Sequence, residues 1–422
     1  MTPGRDPDTG PGGAGRAAFH AAVTGLGLVT PGGLTTDDTW RTVSEGRPTA
    51  DTDPGLAGLP VTVSCRAADF DGDRALGRRT AWRLDRCTQL ALAAGRQAVA
   101  DARLDAAEWD ASRVGVVLGT AFGGVATWER EHRTLLDRGP TKVSPLTVPM
   151  SLTSMIAGQL AIDQGARGPN LMTGTACASG TTAIGVAREL LRSGLCDIVL
   201  AGGAEAALTP TVVAAFAQAG ALSRRTDQPA RASRPFDVDR DGFVPAEGAA
   251  VLVLERPEHA TARGARPYAC VSGYGASADA GHETRPDPEG GGAERAVRSA
   301  LDDAGLHPSD IRHINAHGTS TPLNDSAEAR MIARVFGDRP ATTSVKGALG
   351  HSLGAAGALE AAVTALSLDH RLIPPTANVD RQDPGLDLDL VVGKARPLAF
   401  DAALSNSFGF GGQNAVLILT RP

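Results

Sequence analysis

Three short stretches of this chain place one nucleophile and two bases on loops rich in small residues. The first, Thr173-Gly-Thr-Ala-Cys-Ala-Ser-Gly180, centres the thiol of Cys177 among neighbours too small to block a bulky thioester. The run from Thr181 to Arg192 predicts a helix. Cys177 then falls at its first turn, where unpaired amides and the positive end of the macrodipole favour a thiolate. A buried cysteine in an Ala/Gly-rich segment is otherwise an inert packing residue, and this stretch alone leaves both readings open. In the second, Ile314-Asn-Ala-His-Gly-Thr-Ser-Thr-Pro-Leu-Asn-Asp325, a short apolar run ends at His317 and gives way to Gly318 and three hydroxyl residues. That is the pattern of a strand entering a functional loop. The third, Ser344-Val-Lys-Gly-Ala-Leu-Gly-His-Ser-Leu-Gly-Ala-Ala-Gly-Ala-Leu-Glu360, carries Lys346 and His351 ahead of an Ala-rich helix. A lone histidine is commonly a structural hydrogen-bonder. One cysteine and two histidines on three such loops point instead to nucleophilic catalysis.

Each of these residues needs a strand–loop–helix step to deliver it, and the chain alternates such steps throughout. A faint repeat is visible: Val23-Thr-Gly-Leu-Gly-Leu28 is echoed by Val271-Ser-Gly-Tyr-Gly-Ala276. Helix-like Val99–Leu104 leads to strand-like Arg113–Thr120, as Leu301–Leu306 leads to Arg312–Thr319, and the Cys177 step is mirrored by the His351 step. Two α/β halves are therefore expected, each a mostly parallel sheet covered by helices, over 20–262 and 263–422. Ile198–Ala201 and Ala250–Leu254 are continuously apolar, as buried strands should be.

Composition sets limits on partners and location. With 41 Lys+Arg against 47 Asp+Glu, a formal charge of −6, and no basic run, nothing suggests nucleic acid. Five cysteines (Cys65, Cys87, Cys177, Cys196, Cys270) show neither metal-ligand nor secreted spacing, which fits a reducing cytoplasm. No stretch is long and apolar enough for a membrane helix. The Gly-, Pro- and Asp-rich residues 1–19 read as a disordered tail rather than a signal peptide.

The quoted stretches, together with Ala232-Ser-Arg-Pro-Phe-Asp-Val-Asp-Arg-Asp-Gly-Phe-Val244 and Asn406-Ser-Phe-Gly-Phe-Gly-Gly-Gln-Asn414, resemble the ketoacyl-ACP synthases. These are condensing enzymes of the thiolase-like superfamily. The likeness runs from about Ala22 to Leu419 and is strongest to elongating ketosynthases of type II fatty-acid and polyketide synthesis. It implies a five-layered αβαβα sandwich built from two duplicated halves. It also implies a decarboxylative Claisen condensation of an enzyme-bound acyl group with malonyl-ACP, giving 3-oxoacyl-ACP. No resident cofactor or metal is implied, because the substrates ride on the phosphopantetheine arm of acyl carrier protein. The expected assembly is a homodimer, or a heterodimer with a chain-length-factor subunit.

By the same resemblance Cys177 is the acyl acceptor, and His317 and His351 stabilise the enolate. Lys346 pairs with Glu360 as an organiser, with Glu328 supporting the network. The amides of Cys177 and Phe410 form the oxyanion hole. Thr319 and Thr321 match positions that bind the pantetheine arm, although ordinary turn bonding is the alternative. Phe408 and Phe410, among glycines, suit a phenyl gate over the thiol. Phe122 stands where many elongating members carry a smaller aliphatic residue, at the far end of the acyl pocket, and favours short or flat unsaturated chains. Gln413 replaces a Thr or His with no clear consequence. Glu205 and Glu247 read as structural acids. Three functions follow: an active elongating ketosynthase, the catalytic α-type subunit of a heterodimer, or a non-catalytic scaffold for carrier proteins, which the intact Cys–His–His set disfavours.

Overall fold

The computed structural model describes residues 19–337 and 340–422. Residues 1–18, nearly all of the expected tail, lie outside them. Phe19, its last residue, is described, and its carbonyl accepts from the Arg188 guanidinium.

Ten strands build the main sheet: β1 (Ala21–Val29), β2 (Val114–Gly119), β3 (Asn170–Thr173), β4 (Ile198–Glu205), β5 (Gly248–Glu255), β6 (Ala269–Ala278), β7 (His313–Asn315), β8 (Ala341–Thr343), β9 (Ala402–Gly409) and β10 (Gln413–Thr420). Their spatial order is β8-β7-β9-β10-β6-β1-β5-β4-β2-β3, with Asp389–Leu390 added beside β8. In the first half β1 and β5 are antiparallel, β5 and β4 antiparallel, β4 and β2 parallel, and β2 and β3 parallel. In the second half β6, β10, β9, β7 and β8 repeat that sequence of directions. Every strand has a counterpart five positions on. The repeated Val23–Leu28 and Val271–Ala276 segments are the equivalent strands β1 and β6. Only three residue pairs, Ala21–Val23 with Ala269–Val271, join the two halves into one sheet.

Helices complete five layers. Helices α1 (Arg86–Asp101) and α2 (Ser154–Gln164) cover the outer face of the first half. Helices α5 (Gly291–Ala304) and α6 (Pro322–Val335) cover that of the second. Between the two halves of the sheet lie α3 (Ser179–Arg192) and α7 (Ala356–His370), which pack on each other and on strands of both halves. Every residue of α7 from Ala356 to Leu368 is buried. Such a helix needs no polar face because protein surrounds it. Its small residues let it approach α3 closely: a Cβ on Gly357 would lie 2.0 Å from Thr181 Oγ1, and one on Gly180 would lie 2.7 Å from the Ala358 amide nitrogen. A further short helix, α4 (Pro210–Gln218), lies off this core and carries Phe216 to the site. Among the described residues no helix is long and apolar enough to cross a membrane.

Candidate active site

Cys177 sits in a tight turn, Ala176–Ala178, between β3 and α3. It precedes the helix by two residues, where the sequence placed it within the first turn. Ala176 takes φ +48°, a conformation costly for a residue with a Cβ, so the turn holds the thiol at the price of local strain. Ser179 tightens it by donating to the carbonyl of Ala176 and to that of Thr120. The amide of Phe410 donates to the thiol. Burial works against the thiolate that a helix start favours. Burial pushes the Cys177 thiol up to about 11, outweighing the Lys346 ammonium and the Phe410 amide, which pull it down. Desolvation penalises the charged form more than the helix start supports it.

His317 and His351 arrive at the ends of the mirrored steps of the second half. One ligand-type atom from each imidazole and the Cys177 sulfur lie within 4.8 Å of one another. The rings meet edge to face with centroids 5.4 Å apart. Both are buried, and desolvation with the nearby Lys346 charge holds both well below the usual histidine range. The imidazoles are neutral. Lys346 donates to the carbonyl of His317 at 2.6 Å and approaches its Nδ1 at 3.4 Å. An ammonium has only protons to offer, so Nδ1 accepts and the ring proton sits on Nε2.

Lys346 also pairs with Glu360, whose carboxyl burial pushes up to about 7 against the pull of that ammonium. Glu328 accepts from the amides of His317 and Gly318, each at 2.8 Å, and from Asn406 at 2.9 Å. This clamps the His317 loop to the strand leading to Phe408. The two acids read as structural both accept hydrogen bonds inside the fold. Glu247 accepts from Arg86 and from the Ala67 amide. Glu205 accepts from the amides of Ala121, Phe122 and Gly354.

The three groups open onto a cavity of about 710 Å³ lined mainly by apolar side chains. Phe122, Thr319, Thr321, Phe408, Phe410 and Gln413 all line it. Thr321 also fulfils the turn-bonding alternative: its hydroxyl caps α6 through the Asn324 amide and lies 2.9 Å from Thr319 Oγ1. Gly411 and Gly412 take φ +80° and +68°, so the turn after Phe410 depends on glycine. Sequence reasoning missed Phe216 and Phe243. Phe216 meets Phe122 edge-on at 6.1 Å and Phe243 at 5.4 Å, and Phe243 meets His351 at 5.2 Å. Phe216 lies in no quoted stretch, and Phe243, although within the quoted 232–244 run, carries nothing there that marks it as a cavity residue.

The mirrored halves and the helix pair between them define a thiolase-like sandwich with its reactive groups where the halves meet. Residues 20–260 match the family described as Beta-ketoacyl synthase, N-terminal domain, and residues 268–380 match Beta-ketoacyl synthase, C-terminal domain. The chain belongs to the beta-ketoacyl synthase family. It is 46% identical over 411 residues to 3-oxoacyl-(acyl-carrier-protein) synthase 2 of Synechocystis sp., spanning 94% of this chain and 97% of that protein. Among solved structures, the ishigamide ketosynthase/chain length factor superposes with a TM-score of 0.90 at 36% identity, covering 96% of this chain and 100% of that one. A type II PKS acyl-carrier protein in complex with its ketosynthase bound to the hexaketide gives a TM-score of 0.86 at 32% identity, with coverages of 96% and 100%.

Proposed function

We propose that the protein is an elongating ketosynthase, joining an acyl group held on Cys177 to malonyl-ACP with loss of CO2. The observation that carries this is one thiol and two neutral imidazoles within 4.8 Å, beside an apolar cavity of acyl size. Attack of the sulfur on a carrier-bound thioester forms the new S–C bond and expels the carrier thiolate. The thiol proton passes through an imidazole to that leaving group. The oxyanion formed in between takes N–H bonds from Cys177 and Phe410. In the second stage malonyl-ACP loses CO2, and the electron pair left behind forms an enolate. Its oxygen accepts from His317 Nε2–H and from His351, both uncharged donors that need no deprotonation. The enolate carbon attacks the acyl carbon, the S–C bond breaks, and Cys177 regains a proton.

Lys346 acts through His317, fixing its tautomer, and Glu360 and Glu328 hold that arrangement. Thr319 and Thr321 face the path of the pantetheine arm, and Phe408 and Phe410 gate it. The same Cys–His–His set has ligand atoms close enough for a metal ion. The ammonium at 3.4 Å from His317 Nδ1 and the protonated thiol favour the nucleophilic reading. We take the substrates to be carrier-bound and the enzyme to need no resident cofactor. A reducing cytoplasm suits its five free cysteines. Residues 20–262 and 263–422 are the proposed halves.

Incubation with a panel of acyl-ACPs and malonyl-ACP, read by mass spectrometry, tests this. A 3-oxoacyl-ACP two carbons longer is expected, and Cys177→Ala should form none. Product from the Ala variant would overturn the assignment. A second reading, the catalytic α-type subunit of a heterodimer, draws support from the solved relative described with a chain length factor. Strand β3 is an open sheet edge with Leu171 exposed, beside exposed Ile162 of α2, and suits addition of a like subunit. Native mass with and without a candidate partner separates homodimer from heterodimer.

A further inference from the structure

Glu205, the last residue of β4, is a fully buried carboxylate that the condensation steps do not use. Among the described residues it has no salt-bridge partner; its charge meets only uncharged donors. Oε2 accepts from the Ala121 amide at 2.7 Å and the Gly354 amide at 3.3 Å. Oε1 accepts from Thr120 Oγ1 at 3.2 Å and the Phe122 amide at 3.4 Å. These donors belong to two loops that matter to the site. One carries Phe122 into the cavity wall. The other is the turn after His351, in which Leu353 takes φ +47° and also lines the cavity. The loops touch backbone to backbone: a Cβ on Gly354 would lie 2.3 Å from the Ala121 nitrogen. Ser179, two residues beyond Cys177, donates to the carbonyl of Thr120 at 3.2 Å. One carboxylate therefore sits where the cavity wall, the nucleophile turn and the His351 turn converge.

We propose that Glu205 is a positioning residue that sets acyl-chain selectivity, its ionised carboxylate clamping the Thr120–Phe122 loop against the turn after His351. This rests on the reading of the cavity as an acyl site. An anion can accept all four donors at once, whereas the neutral acid spends part of an oxygen on its own proton and must release a donor. Burial pushes this carboxyl up to about 7, so the clamp weakens as pH falls through neutrality. The titratable groups that couple to it are the thiols of Cys177 in the nucleophile turn and Cys87 in α1, both pushed up by burial and uncharged over that range.

The test compares Cys177 acylation by butyryl-ACP and dodecanoyl-ACP, read by intact mass, in the parent and Glu205→Gln from about pH 5.5 to about pH 8.5. In the parent the long-to-short rate ratio should rise as pH falls. In the Gln variant it should be raised at every pH and flat, by about tenfold or more over the parent at high pH, because the amide nitrogen accepts nothing and both donors that met that oxygen are released. Equal loss for both chains with the ratio unchanged marks a merely structural acid and overturns the proposal. Should the variant fail to fold, a parent ratio constant across the range overturns it alone. No acylation of the parent by either chain refutes the ketosynthase reading instead.

Discussion

At the scale of single residues, the site works with uncharged groups held ready rather than with a preformed anion. Cys177 is a thiol below about 11, so its alkylation by iodoacetamide should accelerate continuously as pH rises from 7 towards 10. The sign follows from the thiolate fraction, which grows with pH until the pKa is passed. A plateau beginning below pH 8 would show that the helix start does stabilise the anion. His317 is neutral for the same leading reason, burial, and Lys346 further disfavours its cation. His317→Ala should lose malonyl-ACP decarboxylation by about a hundred- to a thousandfold, the usual loss for one oxyanion donor, while Cys177 still accepts an acyl group. Release of CO2 at the parent rate would remove His317 from that role. Phe122 is 38% exposed and held edge-on by Phe216 at the cavity wall. Phe122→Ala should extend acylation to longer acyl-ACPs with little change for short ones; an unchanged length profile would place the limit elsewhere.

At the scale of elements, α3 and α7 decide whether the nucleophile and the histidines meet. Gly357 on α7 faces Thr181 on α3 and Ser407 on β9, so an added methyl has no room on either side. Gly357→Ala should destabilise the protein by about 1–3 kcal/mol, the usual cost of overpacking, seen as a lower urea midpoint. It should also slow acylation, because α3 begins two residues after Cys177. An unchanged midpoint would mean that the helices part without cost.

At the scale of the whole molecule, the halves are joined by little backbone pairing, by the α3–α7 packing and by buried arginines, among them Arg188, Arg234 with Asp380, and Arg240 with Asp383. Arg188 on α3 of the first half is fully buried. It donates to the carbonyls of Phe19, Val271 and Ser272 and pairs at 2.7 Å with Asp303 on α5 of the second. Arg188→Met keeps most of the volume but orphans those oxygens and the carboxylate. A loss of about 3 kcal/mol or more is expected, measured by urea unfolding. A variant as stable as the parent would show that the other contacts between the halves hold them without Arg188.

The candidate set was legible in the sequence because Cys177, His317 and His351 each lie in a short run of small residues ahead of a helix. The duplication was legible because equivalent strands repeat small-residue patterns, as β1 and β6 do. Protonation was not. The state of Cys177 depends on burial set against the pull of groups far away in the chain, the Lys346 ammonium and the Phe410 amide, and no local pattern records that sum. Nor could spacing reveal Phe216 and Phe243, or the convergence of Glu205 on two loops, since these contacts form only when strands and loops distant in sequence pack together. Residue types and local order determined what chemistry the chain can attempt; close packing of the two halves decided which atoms meet, and in which charge state.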